Sequence, residues 1–377
     1  MLCWALGSGK TRSACEWAKR RENKGQALII CPKGLKTNWQ RQADTWGLTD
    51  RMIVSKEEFK KCYNTYNNSV VIVDEADHFF SAMFKSALSK ALRNYIRKHN
   101  PDLLLLTGTP YRSSPWNIYT AGSFLGHNWN FMTFKRMFFI DIHIGRRVVP
   151  KIKVGIEGQL RKLIESISLV FRPEDAFDIP PQIDEIVYVT ESEKQQKMHK
   201  DNIEIQPIVR FTRAHQIEAG SECGVEDDPK LEVITQYMET NKKIMVVCRY
   251  REQLERYRAF LTSVEGDKQI FVIHGDIVDR QTVLDNVEQS EQCVLLVQSA
   301  TCEGYEAPSI GIMIFASMDY SYRNYLQMKG RIHRLNRLKK NVYIHLITDK
   351  KPESCDEAIM QSMIRKEDFD VLKYART

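Results

Sequence analysis

Along the chain, short and fully apolar runs alternate with longer stretches whose apolar positions recur every three or four residues. In the first half the runs are 27–30 (ALII), 52–54 (MIV), 70–73 (VVIV) and 103–106 (LLLL). Runs this short and this apolar predict strands buried on both faces, the mark of a parallel sheet covered by helices. The stretches between them have helical spacing. In the clearest, 79–99, Phe80, Met83, Phe84, Ala87, Leu88, Ala91, Leu92, Tyr95 and Ile96 share one stripe, which predicts an amphipathic helix. Residues 12–20 (RSACEWAKR) predict another, with Ala14, Cys15, Trp17 and Ala18 inward. The alternation then breaks: 111–170 is aromatic-rich and irregular and ends in a predicted helix at 159–171. Residues 171–182 (FRPEDAFDIPPQ) carry three prolines and read as a linker. A second alternating block follows, with strands at 185–189, 244–248, 270–273, 293–297, 312–315 and 342–347, and an acidic, flexible loop at 220–229.

The pattern therefore predicts an α/β chain of two tandem domains, each a mostly parallel sheet flanked by helices. The boundaries expected are 1–171, a linker at 172–182, and 183–377. A length of 377 residues agrees with two domains. The sequence is 43% hydrophobic and 27% charged, ordinary for a globular protein. No run of eighteen apolar residues occurs, so no membrane span is expected. The nine cysteines are scattered without a C-x-x-C pair. That argues against a disulfide framework and structural zinc and fits a reducing, cytoplasmic setting. A net charge of +7 permits a polyanionic partner without requiring one.

Candidate chemistry begins at the first residues, MLCWALGSGKT. A phosphate-binding loop is a strand, a turn of small residues and a helix whose free N–H groups face a polyphosphate. Gly7, Ser8 and Gly9 let the backbone approach phosphates closely, Lys10 reaches the β- and γ-phosphates, and the Thr11 hydroxyl suits Mg²⁺. The match is to the shorter G-x-G-K-T form, because Trp4 stands where the longer pattern has glycine. An ordinary Gly-Ser turn before a helix is the alternative. The run VVIVDEAD (70–77) supplies the acidic partner. Asp74 and Glu75 follow a buried strand, at the carboxyl edge where open α/β sheets bind ligands. Asp74 would hold the metal, and Glu75 would orient or deprotonate the attacking water. In LLLLTGTP (103–110), Thr107 and Thr109 are placed to bond the neighbouring acidic turn, or simply to form a turn. In NYLQMKGRIHRLNR (324–337), Arg331 and Arg334 are three apart on a helix predicted to start near Ser321, so they share a face. They read either as arginine fingers or, with Lys329, Arg337, Lys339 and Lys340, as a basic face.

Taken in order, these segments resemble the helicases and translocases of superfamily 2. GSGKT resembles motif I, CPKGLKTNW (31–39) motif Ia, DEAD motif II, TGTP motif III, VLLVQSATCEGYEAPS (294–309) motif V and QMKGRIHR (327–334) motif VI. Thr-Gly-Thr-Pro, Gln-x-x-Gly-Arg-x-x-Arg and the Asn-Trp of motif Ia are similar to the Swi/Snf-like branch rather than to DEAD-box RNA helicases. The compact form is similar to helicases encoded by bacteriophages. The resemblance implies two RecA-like domains, ATP and Mg²⁺, a DNA partner and a monomer. It implies Gly304 and Glu306 near the nucleotide, and a coupling set of Asp77, Thr107, Thr109 and Gln327. Lys33, Lys36, Arg112, His274, Gly275, Ser299 and Thr301 become candidate nucleic-acid contacts. Two departures stand out. Glu306 occupies the position that is usually Asp or Asn, and little chain precedes the loop, where the family places an adenine-contacting segment with a glutamine. The second implies weak base selectivity, with Trp4 or Trp17 stacking on any base, or a native chain that starts upstream of Met1. Rival readings are an RNA helicase with the same engine, a binding adaptor with a vestigial ATPase, and a small-molecule P-loop kinase or GTPase. The last is disfavoured by the second α/β block and the lack of Asn-Lys-x-Asp.

Overall fold

The computed structural model describes residues 1–4, 7–108, 111, 114–144, 147–171, 182–204, 206–221, 223–264, 268–277, 279–333, 340–350 and 353–371. The chain divides into two compact units, Met1–Phe177 and Asp178–Thr377. Each is built on a six-stranded sheet whose paired strands all run parallel, flanked by helices. This is the arrangement of two tandem α/β units, each on a parallel sheet, that the apolar runs imply.

In the first unit the strands are β1 (Leu2–Trp4), β2 (Ala27–Cys31), β3 (Arg51–Ser55), β4 (Val70–Val73), β5 (Asp102–Thr107), β6 (Phe139–Ile144), β7 (Arg147–Ile152) and β8 (Leu169–Phe171). The helices are α1 (Lys10–Lys19), α2 (Lys36–Thr45), α3 (Lys56–Cys62), α4 (Ala87–His99), α5 (Trp116–Phe124), α6 (Phe131–Phe138) and α7 (Glu157–Ile167). The sheet order is β3-β2-β4-β5-β1-β8. Strands β2 and β4 are wholly buried, as continuous Ala-Leu-Ile-Ile and Val-Val-Ile-Val runs require.

The irregular region 111–170 is better ordered than its composition suggests. It holds three helices and the antiparallel hairpin β6–β7. Its aromatic residues form one stack: the Trp116 ring lies 4.7 Å from Phe139 and 5.1 Å from Phe131. The helix expected at 159–171 ends at Ile167, and the chain then adds β8 beside β1. The helix expected over 79–99 also needs correction, since only Ala87–His99 is α-helical. Asn117 and Thr120 of α5 donate to the Phe80 and Ser81 carbonyls, which a helix there would have used itself. Met83 and Phe84 turn to positive φ, and the Ser86 hydroxyl caps α4 by accepting from the Ser89 amide.

The second unit contains β9 (Gln182–Thr190), β10 (Lys243–Cys248), β11 (Gln269–Ile273), β12 (Cys293–Gln298), β13 (Ile312–Phe315) and β14 (Asn341–Asp349). Its helices are α8 (Glu193–Lys200), α9 (Pro207–Glu218), α10 (Pro229–Thr240), α11 (Arg251–Ser263), α12 (Arg280–Gln289), α13 (Tyr322–Lys329) and α14 (Cys355–Ile364). The order is β11-β12-β10-β13-β14-β9. The acidic segment 220–229 is not simply a flexible loop at its described residues. Asp228 is 2% exposed, caps α10 by accepting from the Lys230 and Leu231 amides, and pairs with Arg256.

Candidate nucleotide site

The site starts from sheet order. In a parallel sheet every strand delivers its following loop to the same edge. Strand β5 lies between β4 and β1, so the acidic turn after β4 and the small-residue loop after β1 stand on one edge. At one strand spacing per step they are about 10 Å apart. Gly7 and Gly9 adopt φ of +75° and +83°, which residues with a side chain rarely do. A Cβ on Gly9 would meet nothing within 4 Å, so the loop is open where a ligand would approach. Gly9 caps α1, and Lys10 is its first residue. The Lys10 ammonium donates to the Trp4 carbonyl at 2.8 Å. Thr11 is half-buried in the first turn of α1.

On the neighbouring strand, Asp74 Oδ1 accepts from the Glu75 amide at 3.0 Å and Oδ2 from the Trp39 indole N–H at 2.8 Å. Glu75 is left-handed, φ 47° and ψ 50°, and opens the turn Ala76–Phe79. A non-glycine residue in that region is strained by about 1–2 kcal/mol, and such strain gathers at functional sites. Asp77 in this turn is 2% exposed, and Thr107 at the end of β5 is fully buried. Thr109 and Arg112 lie outside the described residues. The donor set, a hydroxyl and carboxylates at a sheet edge, is the hard-oxygen kind that suits Mg²⁺. The residues present therefore fit a triphosphate and Mg²⁺: the loop amides and Lys10 for phosphates, Thr11 and Asp74 for the metal. The two tryptophan rings are each occupied on one side. Trp4 lies 5.4 Å from the Phe171 ring, and the Arg21 guanidinium sits 4.1 Å over Trp17.

The motif Ia lysines differ. Lys33 is exposed, whereas Lys36 is ion-paired to Glu58 at 2.9 Å. Glu58 also closes a capping box with Ser55 at the start of α3.

In the second unit the motif segments again meet at the carboxyl edge of the sheet. His274 follows β11, Ser299 follows β12 and Arg249 follows β10, on three adjacent strands. His274 is 7% exposed and its Nδ1 accepts from the Asp276 amide, while Gly275 is exposed with open space around it. The Ser299 hydroxyl donates to Asp319 at 3.1 Å and the Thr301 hydroxyl to the Gln298 carbonyl at 2.7 Å, and both residues are buried. Asp319 in turn pairs with Arg249 at 3.2 Å. Gly304 has φ 93° and Glu306 is exposed. The buried Gln327 accepts from the Cys302 thiol at 3.3 Å, joining motif VI to motif V.

The shared helical face expected for Arg331 and Arg334 is not formed at Arg331. Helix α13 ends at Lys329, where the Gly330 amide turns back to the Leu326 and Met328 carbonyls. Arg331 lies beyond it and is 7% exposed. Its guanidinium donates to the Gln327 carbonyl at 3.0 Å and to the Tyr305 carbonyl at 2.6 Å. Arg334 is outside the described residues. Two partners escaped the sequence reading: Trp39 on Asp74, and the Arg249–Asp319 pair that holds Ser299. The only sequence signal for the first was the Asn-Trp of motif Ia. The second had none.

Residues 229–336 match the helicase conserved C-terminal domain. The matched segment lies in the second unit, and there it bears out the helicase resemblance drawn from the motifs. No curated protein matches the chain. Among solved structures, the chain is similar to the Sulfolobus solfataricus SWI2/SNF2 ATPase core in complex with dsDNA. Identity is 16% over all of this chain and 89% of that one, with a TM-score of 0.42. The C-terminal part of the Fun30 ATPase domain matches 53% of this chain and 96% of its own, at 12% identity and a TM-score of 0.43. Likenesses this distant add no weight to the site. No described helix is long and apolar enough to cross a membrane.

Proposed function

We propose that the chain is an ATP-driven superfamily 2 motor of the Swi/Snf-like branch, and that its track is DNA. One observation carries the reading: a loop with two positive-φ glycines, closed by Lys10 at the start of α1, shares a sheet edge with Asp74 and Glu75. In this reading the loop amides of Gly7, Ser8 and Gly9 orient the triphosphate. Lys10 exchanges the Trp4 carbonyl for phosphate oxygens. Thr11 and Asp74 hold Mg²⁺, which when bound offsets charge on the phosphates. Glu75 takes a proton from the attacking water. Arg331 and Arg334 are assigned to the same reaction by their motif, with Gly304 and Glu306 beside the nucleotide. Lys33, Lys36, Arg112, His274, Gly275, Ser299 and Thr301 are assigned to the nucleic-acid backbone. Asp77, Thr107, Thr109 and Gln327 are assigned to coupling between the two. DNA is favoured over RNA by the Thr-Gly-Thr-Pro and Gln-x-x-Gly-Arg-x-x-Arg segments.

The test is steady-state ATPase with single-stranded, duplex and forked DNA and with matched RNA. DNA should stimulate more than RNA. Lys10→Ala and Glu75→Gln should abolish turnover and leave nucleic-acid binding nearly intact. Near-normal turnover in either variant refutes the site, and stronger stimulation by RNA refutes the DNA assignment. Normal binding of nucleic acid with no turnover in the parent chain would identify a binding adaptor.

A further inference from the structure

Trp39 is 1% exposed and lies in α2, one turn after Lys36. Its ring belongs to the core cluster that also holds Ala14, Cys15 and Ala18 of the P-loop helix α1, together with Leu48. Packing accounts for the ring but not for the direction of its one polar atom. An indole N–H can only donate, and once buried it needs an acceptor. The acceptor here is Asp74 Oδ2 at 2.8 Å, while the Glu75 amide takes Oδ1 at 3.0 Å. The two carboxylate oxygens are thus fixed by donors from two different elements, one on a rigid ring held by the core.

We propose that Trp39 is a positioning residue for the metal-binding carboxylate. It sets the rotation of the Asp74 carboxyl plane, and so the direction from which the carboxylate would meet the metal, before any ligand arrives. The proposal rests on the reading above that Asp74 holds Mg²⁺. Ligating carboxylates are usually held by such outer partners, and loss of one typically costs about 10–100-fold in metal affinity.

The test uses the full chain and three variants. Trp39→Phe keeps a ring and removes the N–H. Asp74→Asn removes the charge that would hold the metal. Leu48→Ala loosens the same core cluster without touching the carboxylate. Binding of a fluorescent, non-hydrolysable ATP analogue is measured across a Mg²⁺ titration and in EDTA. Trp39→Phe should raise the Mg²⁺ concentration for half-saturation by about 10-fold or more and leave binding in EDTA unchanged. Leu48→Ala should lower the melting temperature and leave the Mg²⁺ dependence alone. A second readout is the indole N–H spectrum of ¹⁵N-labelled protein, which holds six tryptophans. The Trp39 signal should move when Mg²⁺ and nucleotide bind, and should sit elsewhere in Asp74→Asn. Should Trp39→Phe fail to fold, this spectrum decides: an unmoved signal in Asp74→Asn overturns the proposal. Wild-type Mg²⁺ dependence in Trp39→Phe, or a loss matched by Leu48→Ala, also overturns it. If Asp74→Asn too keeps wild-type Mg²⁺ dependence, it is the metal assignment of Asp74 that has failed.

Discussion

Lys230 lies in the interior of the second unit, where it is 1% exposed. Its ammonium donates to the Ala316 carbonyl at 3.0 Å and pairs with Asp356, itself fully buried. Burial alone would raise the Asp356 carboxyl, but the Lys230 charge and the His215 contact override it and hold the group below the usual carboxylate range. Nearby Glu218 goes the other way. Burial and then the Asp356 charge push it up to about 8, against the pull of the Cys355 and Asp356 amides that it accepts. Lys230→Met keeps the length and removes the charge, which strands a buried carboxylate. The expected loss is about 3–5 kcal/mol of stability, read as a lower urea midpoint for the second unit. This cluster is not legible in the sequence, because His215 and Glu218 of one helix are joined by Lys230 and Asp356 from distant parts of the chain. The same holds for Trp39 and Asp74, whose positions are 35 apart. Lys10 and Asp74 themselves were legible, since each sits in a local motif whose geometry follows from a strand ending in a loop.

At the scale of elements, the buried strands and the start of α13 near Ser321 could be read from the sequence, whereas the start of α4 could not. A strand such as β4 is marked by its own four apolar residues. The onset of α4 depends instead on carbonyls taken by α5, which lies beyond an intervening strand. The two-strand hairpin and the stacked rings of 111–170 were hidden for a similar reason, since aromatic residues there pack on one another rather than along one helix stripe. Gly122 in α5 shows how tight that packing is. A Cβ there would run into the Trp129 ring, a rigid group held by Tyr119 and Phe134. Gly122→Ala would gain roughly 1 kcal/mol of helix propensity. Overpacking a filled site costs about 1–3 kcal/mol, so the balance should be destabilising. A lowered melting transition of the first unit is the expected result, and a raised one would show that the Trp129 ring moves aside.

For the whole molecule, a net charge of +7 and the phosphate contacts proposed above for both units lead to one expectation about salt. The logarithm of nucleic-acid affinity should fall linearly with the logarithm of salt concentration, with a slope of roughly −0.9 for each phosphate neutralised on duplex DNA. Lys33→Ala should make that slope shallower by about one unit if Lys33 meets a phosphate. Lys36→Ala should change it less, because Lys36 already has Glu58 as a partner. An unaltered slope in both variants would move the track away from motif Ia. The order of the strands also bears on how the protein is made. In the second unit, among the described residues, β9 pairs with β14 alone, and Glu185 and His345 meet across 160 positions of sequence. In the first, the Met1 amine reaches the Ile167 carbonyl across 166. Each unit therefore joins segments that are made far apart in time during synthesis. Until β14 has been made β9 lacks that partner strand, and Ile186 and Tyr188 stay exposed even in the folded unit. Such distant pairing slows folding, and a strand that must wait for its partner is open to capture by chaperones or by a second copy of itself.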